Sequence, residues 1–149
     1  MDALATAAAF LALFALLMAA SVTDIRSRTI PNRLVLAVVA LWLLWRCASV
    51  AIGCARPSDA VGDVVGALLF GSGLLAFVLV SERVSGRFMM GGGDVKLLTA
   101  VSLFLGLRLV LVALLAACVV SLAFAAARLA RGIPFAPCIM CGTLVALLV

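Results

Sequence analysis

From Ala3 to Val22 the chain runs twenty residues without a charge, and five further stretches are nearly as oily: 34–52, 61–80, 95–107, 109–127 and a last one ending at Val149. None shows the period-two alternation of a barrel strand, and a segment that crosses a bilayer must be a helix or part of a closed barrel. Twenty residues form about 30 Å of helix, the thickness of the hydrocarbon layer. The chain is 68% hydrophobic and 11% charged, whereas soluble domains are about half apolar and a quarter charged. These features predict an all-α, polytopic membrane helix bundle of about six transmembrane helices. Residues 1–149 are read as one integral-membrane domain, with the lipid bilayer as its surroundings. The first segment does not read as a secretion signal, because Asp2 and no basic region precedes it and its apolar run is too long.

The net charge of +5 comes from eleven basic residues scattered singly between apolar stretches. Nucleic-acid binding, which needs basic residues gathered on one face, is therefore not expected. The same residues report topology. The connections after the first, third and fifth segments hold Arg26, Arg28, Arg33, Arg83, Arg87, Lys96, Arg128 and Arg131, and the opposite side holds Arg46, Arg56 and Arg108. The positive-inside rule then puts the richer side in the cytoplasm and both termini outside. Arg46, with Trp42 and Trp45, is read as a snorkelling interfacial residue. Residues 53–62 are read as a loop, as are Glu82, Arg83 and Arg87, and Gly66, Gly71 and Gly73 as points of close helix approach. Gly106 and Arg108 mark a turn; an alternative joins 95–107 and 109–127 into one kinked helix and gives five spans.

Histidine and tyrosine are absent. Their absence removes Ser-His and Cys-His nucleophile systems and every metal site that needs histidine. The five cysteines, Cys47, Cys54, Cys118, Cys138 and Cys141, include one Cys-x-x-Cys pair, with no second pair to complete a zinc site. They are read as small buried hydrophobes, and no metal or cofactor is expected. Chemistry is left to carboxylates, Lys96, thiols and hydroxyls.

One stretch breaks the apolar pattern more sharply than any other: Met90-Gly91-Gly92-Gly93-Asp94-Val95-Lys96, three glycines followed by an acid and the only lysine. An ionisable residue at the edge of a spanning segment is costly and marks a functional-site candidate. The topology sorts the six acids. Asp2, Asp59 and Asp63 fall outside and Glu82 is solvated, so Asp24 and Asp94 are left on one face, each against an apolar segment. Two carboxylates brought close share a proton, which gives an acid and a base in one site. The pair can activate water for attack on a peptide carbonyl. Glycines would let extended substrate approach the backbone. Asp94 is expected below the membrane surface, on backbone not helical until Val95 or later. Residue chemistry leaves a second reading open, a transporter or assembly subunit in which Asp94 relays protons or pairs with Lys96.

The run Gly91 to Lys96, GGGDVK, resembles the GxGD motif and following lysine of the type IV prepilin peptidases, and Asp24 to Asn32, DIRSRTIPN, resembles their first-aspartate region. Ile133 to Pro137, IPFAP, is similar to a later IPFGP-like segment, with Ala136 and Cys138 departing from the usual residues. The resemblance implies a six-helix aspartic peptidase in the bacterial inner membrane that removes the basic leader of a prepilin or pseudopilin substrate at the cytoplasmic face. It implies Asp24 and Asp94 as the catalytic aspartates, Gly91 and Gly93 as motif glycines around the variable Gly92, and Lys96, Pro31 and Asn32 as supporting residues. The likeness is to the short form, without the cysteine-paired N-terminal region of the methylating members, so methyl transfer is not expected. GxGD peptidases that cut within spanning helices are the neighbouring alternative.

Overall fold

The structure, a computed structural model, describes residues 2–86, 90–126 and 135–149. Arg87, Arg128, Arg131, Ile133 and Pro134 lie outside the described residues. Five helices follow in order: α1 (Asp2–Ser27), α2 (Asn32–Ala51), α3 (Pro57–Ser85), α4 (Gly92–Ala126) and α5 (Ala136–Leu148). No strand occurs among the described residues. Four of the helices are long and apolar enough to cross a bilayer, and α5 is a shorter apolar helix. Large apolar side chains such as Leu4, Leu11, Leu44, Phe77 and Leu122 face outward, a surface that lipid covers and water would not tolerate. The protein is an all-α, polytopic helix bundle.

α4 breaks at Gly106, whose φ of 71° and ψ of 171° are far from helical. The break reverses the chain. On α5, Gly142 packs against the carbonyl of Ala113 and the amide of Ala117 in the far half of α4. Six residues earlier Ala136 reaches Asp24, at the end of the bundle where Asp94 begins the first half. A straight α4 would carry Ala113 about 28 Å from Asp94, while α5 advances about 9 Å between Ala136 and Gly142. Only a fold-back satisfies both contacts. Residues 92–105 and 107–126 are therefore two antiparallel arms, which corrects the kinked-helix alternative and gives six helical segments among the described residues. The first arm, fourteen residues and about 21 Å long, is short for a span, as the sequence predicted.

The core lies where the first arm of α4 is enclosed. Leu97, Leu98 and Val101 are fully buried, together with Leu13 and Leu17 of α1 and Val38 of α2. α4 packs on α2, α3 and α5, and α1 packs on α2 and α5. Far from Asp24, Phe10, Trp45 and Phe104 form an aromatic cluster, with the Trp45 and Phe104 rings stacked at 5.7 Å.

Several local expectations change. α1 runs on to Ser27 because Ser21, Thr23 and Ser27 donate their hydroxyls back to carbonyls one turn earlier and so satisfy themselves within the helix. α3 begins at Pro57, not Val61, with proline in its first turn and the Arg56 N–H donating to Asp59 Oδ2 at 2.9 Å. Glu82 and Arg83 belong to the last turn of α3 and not to a loop. Arg46 is not free to snorkel, since its guanidinium pairs with Asp63 and stacks over Trp45. Of the three glycines on α3, Gly71 is the close approach: a Cβ there would meet Thr99 Oγ1 at 2.6 Å, whereas Gly73 faces open space. The cysteines divide: Cys138 is buried and Cys141 half-buried, but Cys47, Cys54 and Cys118 are exposed, which corrects the expectation that all are buried.

Candidate active site

Asp24 sits in the last full turn of α1, on the inward face shared with Leu13, Leu17 and Ala20. Its position follows from helical spacing, since residues three and four apart share a face. It is 7% exposed, a depth at which a carboxylate needs hydrogen-bond donors. One donor is the backbone N–H of Ala136, 3.1 Å from Asp24 Oδ2. Ala136 is the first residue of α5, where N–H groups have no intrahelical acceptor and the helix dipole favours a nearby anion. One turn beyond Asp24, Arg28 ends α1 with a positive φ of 53° and its N–H on the Asp24 carbonyl at 2.8 Å.

Asp94 is held differently. The helix begins at Gly92, so the expected non-helical backbone up to Val95 is corrected: Asp94 lies in the first turn of α4. Its N–H and that of Val95 both bond the Gly91 carbonyl, at 3.0 and 3.3 Å. The Asp94 carboxylate in turn accepts from the Gly91 backbone, as an acid does in the first turn of a capped helix. Each glycine has a separate reason. A Cβ on Gly91 would stand 3.1 Å from Asp94 Oδ2, and one on Gly93 would stand 3.2 Å from the Ile30 Cβ. Gly93 thereby lets the α1–α2 connection press against the start of α4. Gly92 meets nothing within 4 Å and forms open wall.

Asp24 and Asp94, seventy residues apart in sequence, line one cleft of about 360 Å³ and lie close enough to interact electrostatically. Arg28, Thr29, Ile30 and Asn32 form one wall, and Gly91 to Gly93 and Lys96 the other. A water takes up about 30 Å³, so the cleft has room for hydrolytic water beside an extended peptide. Lys96 Nζ donates to Asn32 Oδ1 at 3.4 Å and ties the start of α4 to the start of α2. Pro31 precedes α2 in extended conformation, and its carbonyl accepts from the Leu34 N–H at 3.0 Å. Its ring fixes the entry of the connection that carries Asn32.

The family model described as "Type IV leader peptidase family" matches residues 11–126, well over half of the chain and a span that includes both aspartates. The chain belongs to that family. It is a multi-pass membrane protein of a leader peptidase type. No curated protein and no solved structure matches it. Within this leader peptidase, all the residues singled out from sequence, Asp24, Pro31, Asn32, Gly91, Gly92, Gly93, Asp94 and Lys96, come together at one end of the bundle. Sequence reasoning missed the N–H of Ala136 as a donor to Asp24 and Ile30 as the partner of Gly93. A backbone donor has no side-chain signature, and only its place within the IPFAP stretch pointed to that region.

Proposed function

We propose that this protein is an aspartic endopeptidase that removes the basic leader from a prepilin or pseudopilin substrate at the cytoplasmic face of the bacterial inner membrane, with Asp24 and Asp94 as its catalytic pair. The observation that carries the reading is the single cleft walled by both carboxylates. With one proton shared between them, the ionised aspartate takes a proton from water while the oxygen attacks the scissile carbonyl carbon. The protonated aspartate gives its proton to the carbonyl oxygen, and a tetrahedral diol forms. On collapse the C–N bond breaks, the leaving nitrogen takes a proton from the first aspartate, and a diol hydroxyl returns one to the second. Water is consumed, and the pair ends as it began.

The surroundings support this chemistry. Gly92 leaves the wall beside Asp94 open to an extended backbone. The Ala136 N–H holds one oxygen of Asp24 in place. Arg26, Arg28, Arg33, Arg83 and Lys96 belong to the end of the bundle that bears the aspartates, and such a bias favours the cytoplasm. Co-expression with a prepilin tests the proposal. Asp24→Asn and Asp94→Asn should each slow leader removal by about 10²-fold or more, the usual worth of one proton-transfer group. Leader removal at the wild-type rate in either variant, with the protein present in the membrane, would refute the pair.

A further inference from the structure

Beside the cleft runs a second and larger hollow of about 650 Å³, walled by α2, α3 and the first arm of α4. Its lining is mainly apolar: Leu68, Ser72 and Leu75 on α3 face Thr99 and Ala100 on α4, with Trp42 of α2 across from them. α2 and α3 do not pack on each other along their lengths, so the hollow opens sideways between them toward lipid. At the end far from the aspartates the same two helices are bridged by the Arg46–Asp63 ion pair. At the near end Gly92 and Lys96 line both the hollow and the cleft that holds Asp24 and Asp94. The hollow and the cleft therefore adjoin at Gly92 and Lys96, an apolar groove along the bundle beside a polar mouth.

We infer that this groove seats the apolar helix of the substrate, the segment that follows the cleavage site. The inference rests on the peptidase reading and adds where the substrate lies and how it enters. A chain with a basic leader, a scissile bond and then an apolar helix matches the groove end to end: the helix lies between α2 and α3, and its N-terminal end emerges past Gly92 into the cleft. The leader continues out through the mouth. Between helices in lipid there is no hydrophobic drive, so association depends on close packing, and small residues at the contact allow it. Gly71 is already closed over by Thr99, so on α3 the exposed Ser72 is the small residue that such a contact can use. Lys96 stands at the junction, where the helix ends and the extended segment begins.

Two faces of α3 make the test. Leu68 and Leu75 line the groove, while Leu69 and Phe77 are similarly exposed but lie outside its lining. A photo-cross-linking phenylalanine analogue is placed at each position in turn, in the full-length protein in phospholipid nanodiscs. The probe is a prepilin-like chain with a basic leader and an apolar helix of about 20 residues. Adducts to the probe from Leu68 and Leu75 should exceed those from Leu69 and Phe77 about tenfold, as one packed and one lipid-washed face require. As a second measurement, Ser72→Trp, which fills the groove, should raise KM for the probe about tenfold relative to Phe77→Trp. If Ser72→Trp does not fold, the cross-linking decides by itself. Equal yields from both faces, or lipid adducts only, with the probe still cleaved, would overturn the groove and leave the peptidase standing. Groove-selective adducts without cleavage by the unsubstituted protein would do the reverse.

Discussion

Replacing Gly142 by alanine tests how the fold holds the candidate site. An added Cβ would stand 2.2 Å from the Ala113 carbonyl oxygen and 3.0 Å from the Ala117 nitrogen, both backbone atoms that no rotamer change can move. Reaching an ordinary contact of 3.4 Å requires α5 to retreat by about 1.2 Å from the second arm of α4. Overpacking of this kind costs about 1–3 kcal/mol. A rigid retreat also carries Ala136 with it, and its N–H begins 3.1 Å from Asp24 Oδ2. Losing that donor to a buried carboxylate costs about 1.5–3 kcal/mol more. Gly142→Ala should therefore lose about 2.5–6 kcal/mol of stability and a large part of leader cleavage. Gly73→Ala, where a Cβ meets nothing within 4 Å, serves as the control and should be neutral or slightly stabilising, since alanine favours helix. The assay is thermal unfolding in detergent together with cleavage of a prepilin. A Gly142→Ala protein with unchanged Tm and unchanged cleavage would refute both the tight α4–α5 contact and its link to Asp24.

Three further outcomes are expected. Because the proposed reaction needs one proton shared by Asp24 and Asp94, kcat/KM should fall at low pH, when both carboxyls are protonated, and at high pH, when both are ionised; a rate independent of pH from 4 to 9 would contradict the shared proton. Gly106→Ala should cost about 1–3 kcal/mol although nothing crowds its Cβ, because its backbone lies in a region almost reserved for glycine, and unfolding midpoints will show the loss. Asp63→Asn should cost about 1–3 kcal/mol by leaving the part-buried Arg46 without its charge partner, and a Tm equal to wild type would show that the pair contributes nothing.

The fold was legible in sequence wherever it depended on the local sum of hydropathy. The apolar stretches became helices, and the short fourth segment and the Gly106 turn were visible because lipid forbids unpaired backbone and glycine marks a reversal. Helix ends were less legible. Ser27, Pro57 and Gly92 each lie beyond or before the apolar run, where hydroxyl back-bonding, a proline in the first turn and a capped acid extend the helix with polar residues. Arg46 read as a snorkelling interfacial residue and Asp63 as an unpaired acid on the outer side because pairing between α2 and α3 leaves no trace in either segment.

By itself the sequence determined the solvent of this protein and its helical class, and it singled out two acids as site candidates. It also placed three glycines before one of them. The tertiary structure decided what those residues do: Gly91 clears Asp94, Gly93 admits Ile30, and Gly92 opens the wall. It also brought the start of α5 to Asp24 and left α2 and α3 apart to form the groove. Hydropathy and charge act through each residue's own transfer free energy and are additive along the chain. Contacts across the bundle depend on which faces meet after the chain folds back, and no single segment records that.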